Sequence, residues 1–183
     1  MKNKAIIAIL SVLLALSLAF NALMIYRELR WDYADGFSPE DEVQAGELAP
    51  DFSVQLLTGE TFTLSEHRGT VVVLDFWATW CGPCVQKMPT MQALSEQYEG
   101  SVIFVGMNVG ENVDRVQDFI DEQGFTFLVG LDENGDIHRN LYPSPGIPYT
   151  VIISGEGMIT ATFLGGGEGM HERIGEAIED ALR

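Results

Sequence analysis

The chain is expected to fold as an α/β domain with a central mixed β-sheet flanked by helices on both faces. Three observations carry that expectation. Two nearly continuous β-branched and apolar runs, Val71–Trp77 and Val102–Met107, have the pattern of central strands covered on both sides. Helical spacing follows each: Met88, Met91, Leu94 and Tyr98 share one side of Val85–Tyr98, and Val113, Val116, Phe119 and Ile120 are the apolar positions of Val113–Gln123. A β-hairpin and a last amphipathic helix then close the chain, so the sheet takes strands of both directions.

From the start, Met1–Tyr26 carries no charge between Ala5 and Tyr26. As a helix that run spans about 33 Å, enough to cross the hydrocarbon core of a bilayer. Lys2 and Lys4 precede it, while Arg27 and Arg30 are offset by Glu28 and Asp32. This asymmetry favours an N-terminus kept in the cytoplasm and the remainder outside, in the cell membrane as a single pass. An uncleaved anchor over 1–26 is expected. The alternative, a signal peptide cut near Ser17-Leu18-Ala19, has to explain why the apolar run continues to Ile25.

Residues 27–47 are acidic, contain Gly36 and Pro39, and lack periodicity, as a tether would; Trp31 and Tyr33 suit the membrane interface. The domain proper is expected over 48–183. All 27 acidic residues lie beyond the apolar run, against eight of the ten basic ones, and Lys87 is the single lysine there. A surface of that sign repels nucleic acid and anionic headgroups, which makes both poor partners.

Phe52–Leu56 and Thr61–Leu64 alternate around the turn Thr58-Gly59-Glu60 and predict a short N-terminal hairpin. Gly124 is a stop for the second helix. Phe125–Val129 is a candidate strand, and Tyr149–Ile153 with Met158–Phe163 flank Gly155-Glu156-Gly157 as an antiparallel pair. In the last helix Ile174, Ala177, Ile178 and Leu182 are expected to face inward. Asp132–Asp136 begins like a calcium loop, but Ile137 stands where glycine is needed, so a turn is expected.

Both cysteines lie in FWATWCGPC, residues 76–84. Cys81 follows a strand and opens a helix, whose unpaired N–H groups favour a thiolate there. It is expected to be the exposed, reactive sulfur. Cys84 lies one turn on, close enough to close a small ring and to resolve a mixed disulfide formed at Cys81. A purely structural disulfide is weaker, because so short a loop removes little entropy from the unfolded chain. A zinc site would need further ligands, and His67, His138 and His171 are scattered as ordinary surface or loop residues, so no metal site is expected.

Residues 76–84 resemble the active site of the thioredoxin superfamily. Asp75 matches the acid that precedes that site, Pro89 the proline inside its helix, and Ile147-Pro148 the cis-proline that faces the cysteines. Gly46–Phe52 is similar to the opening of the redoxin branch, and an extra strand and helix between Met107 and Pro148, with LDENGD, match it too. With the apolar N-terminus, the likeness is to the membrane-tethered TlpA/ResA-like thiol–disulfide oxidoreductases, over 48–183.

The resemblance implies a thioredoxin-like fold with an N-terminal hairpin and an inserted βα element, and an enzyme whose cofactor is its own Cys81–Cys84 disulfide. Cys81 would be the nucleophile, Cys84 the resolving thiol, and Asp75, its carboxyl pushed up by burial, the acceptor of the Cys84 proton. Trp80 would shield the disulfide, Gly82 and Pro83 would lie at the substrate face, and the backbone of Ile147, before Pro148, would pair with a substrate strand. Exported proteins with disulfides, such as apocytochrome c, would be reduced by a monomer recharged by a membrane donor of the CcdA/DsbD type. Gly82-Pro83 resembles the reducing members. The proline-rich run Pro143–Thr150 and the run Gly165–Gly169 depart from the family pattern, the latter read as a close approach to the active-site loop.

Two other functions compete. A thiol peroxidase of the redoxin branch would place Pro and Thr before a single cysteine, whereas Trp80 precedes Cys81. A copper-binding assembly protein would carry CxxxC and a distant histidine, and this motif is one residue shorter.

Overall fold

The computed structural model describes residues 42–183 together with 17, 18 and 20–22. The chain divides into two compact units, Met1–Glu40 and Asp41–Arg183. In the first, residues 17, 18 and 20–22 are helical, with Leu18 and Phe20 exposed. The rest of the anchor expected over 1–26 lies outside the described residues, as do residues 27–41 of the tether. Among the described residues no helix is long and apolar enough to cross a membrane.

The second unit is built on a five-stranded sheet in the order β5-β4-β3-β6-β7. β3 (Val71–Trp77) and β4 (Val102–Val109) run parallel, as do β4 and β5 (Leu128–Asp132). β6 (Tyr149–Ile153) is antiparallel to β3, and β7 (Ile159–Leu164) to β6. Every residue of β3 is buried, which explains its unbroken apolar run. A separate hairpin, β1 (Ser53–Gln55) and β2 (Thr61–Thr63), meets the edge of β5 through a bridge between Leu56 and Gly130.

The period-two alternation of β3 divides the core. Val72, Leu74 and Phe76 pack with the hairpin residues Phe52 and Phe62 and with Tyr142 and Tyr149. Val71 and Val73 pack against Met91 and Leu94 of α1 (Gly82–Gln97) and against Ile174 and Ile178 of α4 (Met170–Ala181). Trp77 continues that second face, with Met88 and with Val116 and Ile120 of α2 (Val113–Gln123). Asp75 shares the parity of Val71 and Val73, so the helical side of the sheet receives it.

Several expectations are corrected. The domain begins before Leu48: Val43 is buried in the core, and Gly46 and Glu47 exchange main-chain hydrogen bonds with Ile159. The strand expected at Phe125–Val129 forms three residues later, because pairing with β4 aligns Leu128 with Val105, while Phe125 and Phe127 stack on each other. Leu182 is exposed beyond the end of α4, and Val113 is exposed at the start of α2. The turn over Asp132–Asp136 leads into a short helix, α3 (Asp136–Asn140), where both oxygens of Asp132 accept from the backbone N–H groups of Ile137 and His138.

Candidate active site

Cys81 and Cys84 form a disulfide at the N-terminus of α1. Cys81 is the N-cap, Pro83 stands in the first turn where a missing N–H costs nothing, and the N–H of Cys84 lies 3.2 Å from Cys81 Sγ. The helix therefore directs a free donor at the sulfur. Cys81 is not the exposed sulfur expected from the sequence: it is 6% exposed, against 1% for Cys84. The cover comes from the loop ahead of β6, where the Ile147 carbonyl oxygen lies 3.6 Å from Cys81 Sγ and the Ile147 side chain joins the Trp77 cluster. The Ile147–Pro148 bond is cis.

Around this pair, Gly82 and Pro83 are exposed and Trp80 is 66% exposed. Pro89 lies inside α1 on its exposed side. The glycine run does make a close approach: a Cβ on Gly166 would stand 3.2 Å from the Pro83 carbonyl oxygen and 3.6 Å from Lys87 Cβ. The structure thus brings together Cys81, Cys84, Ile147 and Pro148, with Gly82 and Pro83 at the rim.

Asp75 is buried as expected, but it has a partner that its sequence context does not disclose. Lys87, also buried, places Nζ 2.6 Å from Asp75 Oδ1 and 2.6 Å from Thr150 Oγ1. The Thr150 hydroxyl donates to the same Oδ1 at 2.9 Å. Both bonds that reach the Asp75 carboxylate fall on Oδ1, and the third joins Lys87 to Thr150. Lys87 is one turn past Cys84 on α1, so the triad joins the helix that carries the thiols to β3 and β6.

A second group not foreseen from the sequence fixes the loop before Cys81. Glu111 is buried and accepts from the Thr79 N–H at 2.7 Å, the Thr79 hydroxyl at 2.5 Å, Asn108 Nδ2 at 2.9 Å and Arg115 Nε at 2.8 Å. Burial alone would raise its carboxyl; the bonds from Thr79 and Asn108 and the charge of Arg115 outweigh this and hold it below the ordinary glutamate value. The signal available in the sequence was an acid two residues past a buried strand, without its partner 32 positions away.

His138, expected to be an ordinary surface or loop residue, is half-buried with its ring 5.2 Å from that of Phe76. Burial pushes its imidazole below the usual histidine range, against the pull of Asp132 and with the push of Arg139. His67 stacks on Phe62. Among the described residues no group of three or more His, Cys, Asp or Glu side chains is placed to hold a metal ion.

Residues 44–178 match the redoxin family model. The chain is 33% identical over 147 residues to the thioredoxin-like protein YneN of Bacillus subtilis, covering 78% of this chain and 85% of that protein. It is 34% identical over 134 residues to the thiol-disulfide oxidoreductase ResA of Geobacillus thermodenitrificans, covering 73% and 76%. The crystal structure of a putative thiol:disulfide interchange protein DsbE from Chlorobium tepidum superposes with a TM-score of 0.72 at 31% identity, covering 78% of this chain and all of that one.

Proposed function

The chain belongs to the redoxin family as a ResA-like thiol–disulfide oxidoreductase, and on that premise we propose that it reduces disulfides of exported proteins from the outer face of the cell membrane. The observation that carries the reading is the cap of α1: the Cys84 N–H points at Cys81 Sγ while the Ile147 carbonyl flanks the same sulfur. Such a sulfur is stabilised as a thiolate and lies beside a strand end on which a substrate backbone can pair.

In the reduced protein the Cys81 thiolate attacks one sulfur of a substrate disulfide and expels the other as a thiolate. Cys84 gives its proton to Asp75 and attacks Cys81 Sγ. That step releases the second substrate sulfur and closes the Cys81–Cys84 disulfide, so two electrons pass to the substrate. Reduction of the protein by a membrane dithiol donor of the CcdA/DsbD type completes the cycle. The uncharged run Ala5–Tyr26, with Lys2 and Lys4 before it, supports a tether whose domain faces outward. Apocytochrome c is a fitting substrate class, since its haem-binding cysteines must be reduced. Gly82-Pro83 between the thiols supports the reducing direction.

Replacing Cys84 by Ser should arrest the cycle at the mixed disulfide. Exported cysteine-containing proteins are expected on Cys81 when the variant is recovered from cells under acid quench. Recovery of no adduct, or of cytoplasmic proteins alone, overturns the proposal.

A further inference from the structure

We propose that His138 is a positioning residue of the active site, which acts through Ser144 to hold the Gly146–Ile147 backbone against Cys81. The run Pro143-Ser144-Pro145-Gly146-Ile147-Pro148 leads from α3 to β6 and carries three prolines, each without an N–H to donate. Among the described residues, no main-chain hydrogen bond reaches 143–147. A segment that must hold a carbonyl beside the reactive sulfur therefore has to be tied by side chains.

One chain of bonds supplies the tie. His138 Nε2 lies 2.9 Å from Ser144 Oγ, and Ser144 Oγ donates to the Gly146 carbonyl at 2.8 Å. Because the serine hydrogen is spent on Gly146, the hydroxyl oxygen must accept from the imidazole, which fixes His138 as the Nε2–H tautomer. Gly146 is directly followed by Ile147, whose carbonyl oxygen is 3.6 Å from Cys81 Sγ.

His138 is itself held at its ring and at its backbone. Its ring rests 5.2 Å from Phe76 of β3, two residues before Ala78 and the active-site loop, and Asp132 pins its backbone N–H at 2.9 Å. The anchor of the chain is thus the central sheet. A half-buried side chain with a donor, its ring tilted against an aromatic one, meets both requirements; a lysine or an aliphatic residue at 138 would lose one of them.

The consequence for catalysis rests on Ile147 receiving the substrate strand, as proposed above. Loss of the tie should then weaken docking and leave the intrinsic reactivity of the thiol alone. In the full chain, with dithiothreitol as electron source and a disulfide-bonded peptide as substrate, His138→Phe keeps a ring against Phe76 and removes the donor. Ser144→Ala removes the relay at a half-buried loop position and keeps the test decisive should His138→Phe fail to fold.

Both are expected to raise KM for the peptide about fivefold, the worth of one ordinary hydrogen bond. kcat and the rate at which iodoacetamide alkylates reduced Cys81 should stay at wild-type values, and Ser144→Thr should restore KM. A KM unchanged in both variants overturns the role of His138. Docking at Ile147 is tested apart, on the wild-type protein, with a peptide N-methylated beside its cysteine: equal KM for the two peptides would sink Ile147 as the docking strand. An unchanged KM in both variants together with a raised KM for the methylated peptide overturns the role of His138 and leaves Ile147 as the docking strand.

Discussion

Lys87 owes its burial to a single carboxylate. Taking an ammonium out of water costs several kcal/mol, and the return here is two bonds of 2.6 Å, to Asp75 Oδ1 and Thr150 Oγ1. Removing one member leaves the other charged, buried and unpaired. Lys87→Met is therefore expected to lower the unfolding free energy by about 3–5 kcal/mol. The double variant Asp75→Leu/Lys87→Met should recover part of that loss, because two apolar side chains need no partner and only the Thr150 hydroxyl loses its bonds. Urea denaturation of the two single variants and the double one checks this, and additive losses would show that the pair is not coupled. Asp75 was legible in the sequence as an acid between Leu74 and Phe76 in a strand with no exposed face. Lys87 was not. A lone lysine on a helix reads as solvated, and only the parity of β3, which turns Asp75 toward α1, reveals its burial.

At the level of elements, the junction between β4 and α2 does for the active-site loop what no element could do alone. Asn112 caps α2 by accepting from the Arg115 N–H at 3.0 Å, which sets Arg115 beside Glu111 and Glu111 beneath Thr79. All four partners of the Glu111 carboxylate are donors, so an amide in its place must set an N–H against one of them. Glu111→Gln is expected to cost about 1–3 kcal/mol at neutral pH. The pH dependence has a definite sign. The folded carboxyl lies below its ordinary value of 4.5, so its stabilisation is fully present above that value and disappears as the pH falls through the folded one. Unfolding free energies measured from pH 7 down to pH 3 should show the gap between wild type and Glu111→Gln closing below about pH 4.5. A gap that stays constant would remove the carboxylate's charge from the account. Elements with strong periodicity were legible: α2 runs from Val113 to Gln123 and stops at Gly124 in the left-handed conformation, as its sequence predicts. The five residues of α3 are too few to show a period, and Asp132, which accepts from its first-turn N–H groups, stands outside the helix. Distance in sequence hid the contact of Glu111 with Thr79 and that of His138 with Phe76, both of which form only after the sheet has assembled.

For the whole molecule, stability and redox direction are one measurement. Reduction and unfolding form a closed cycle, so the stability difference between the oxidised and reduced folded forms equals the gap between the disulfide's potentials in the folded and unfolded chains. Each 1.4 kcal/mol corresponds to about 30 mV for two electrons. A strong oxidant is a protein whose reduced form is the more stable one. Two features of this chain bear on the balance with opposite sign. The Cys84 N–H at the start of α1 favours a thiolate on Cys81 and so the reduced state. The formal charge of −17, with the Glu111 carboxylate bonded to the loop two residues before Cys81, disfavours a new negative charge and so favours the neutral disulfide. The reducing direction proposed above requires the field of the whole domain to outweigh the one helix donor, so that the oxidised form is the more stable. Its urea midpoint is then expected above that of the protein reduced under nitrogen, and equilibration against glutathione should place the folded Cys81–Cys84 potential below that of the unfolded chain by the matching number of millivolts. A reduced form more stable than the oxidised one would reverse the direction of electron flow proposed for this protein, because the same dithiol would then form disulfides in its partners.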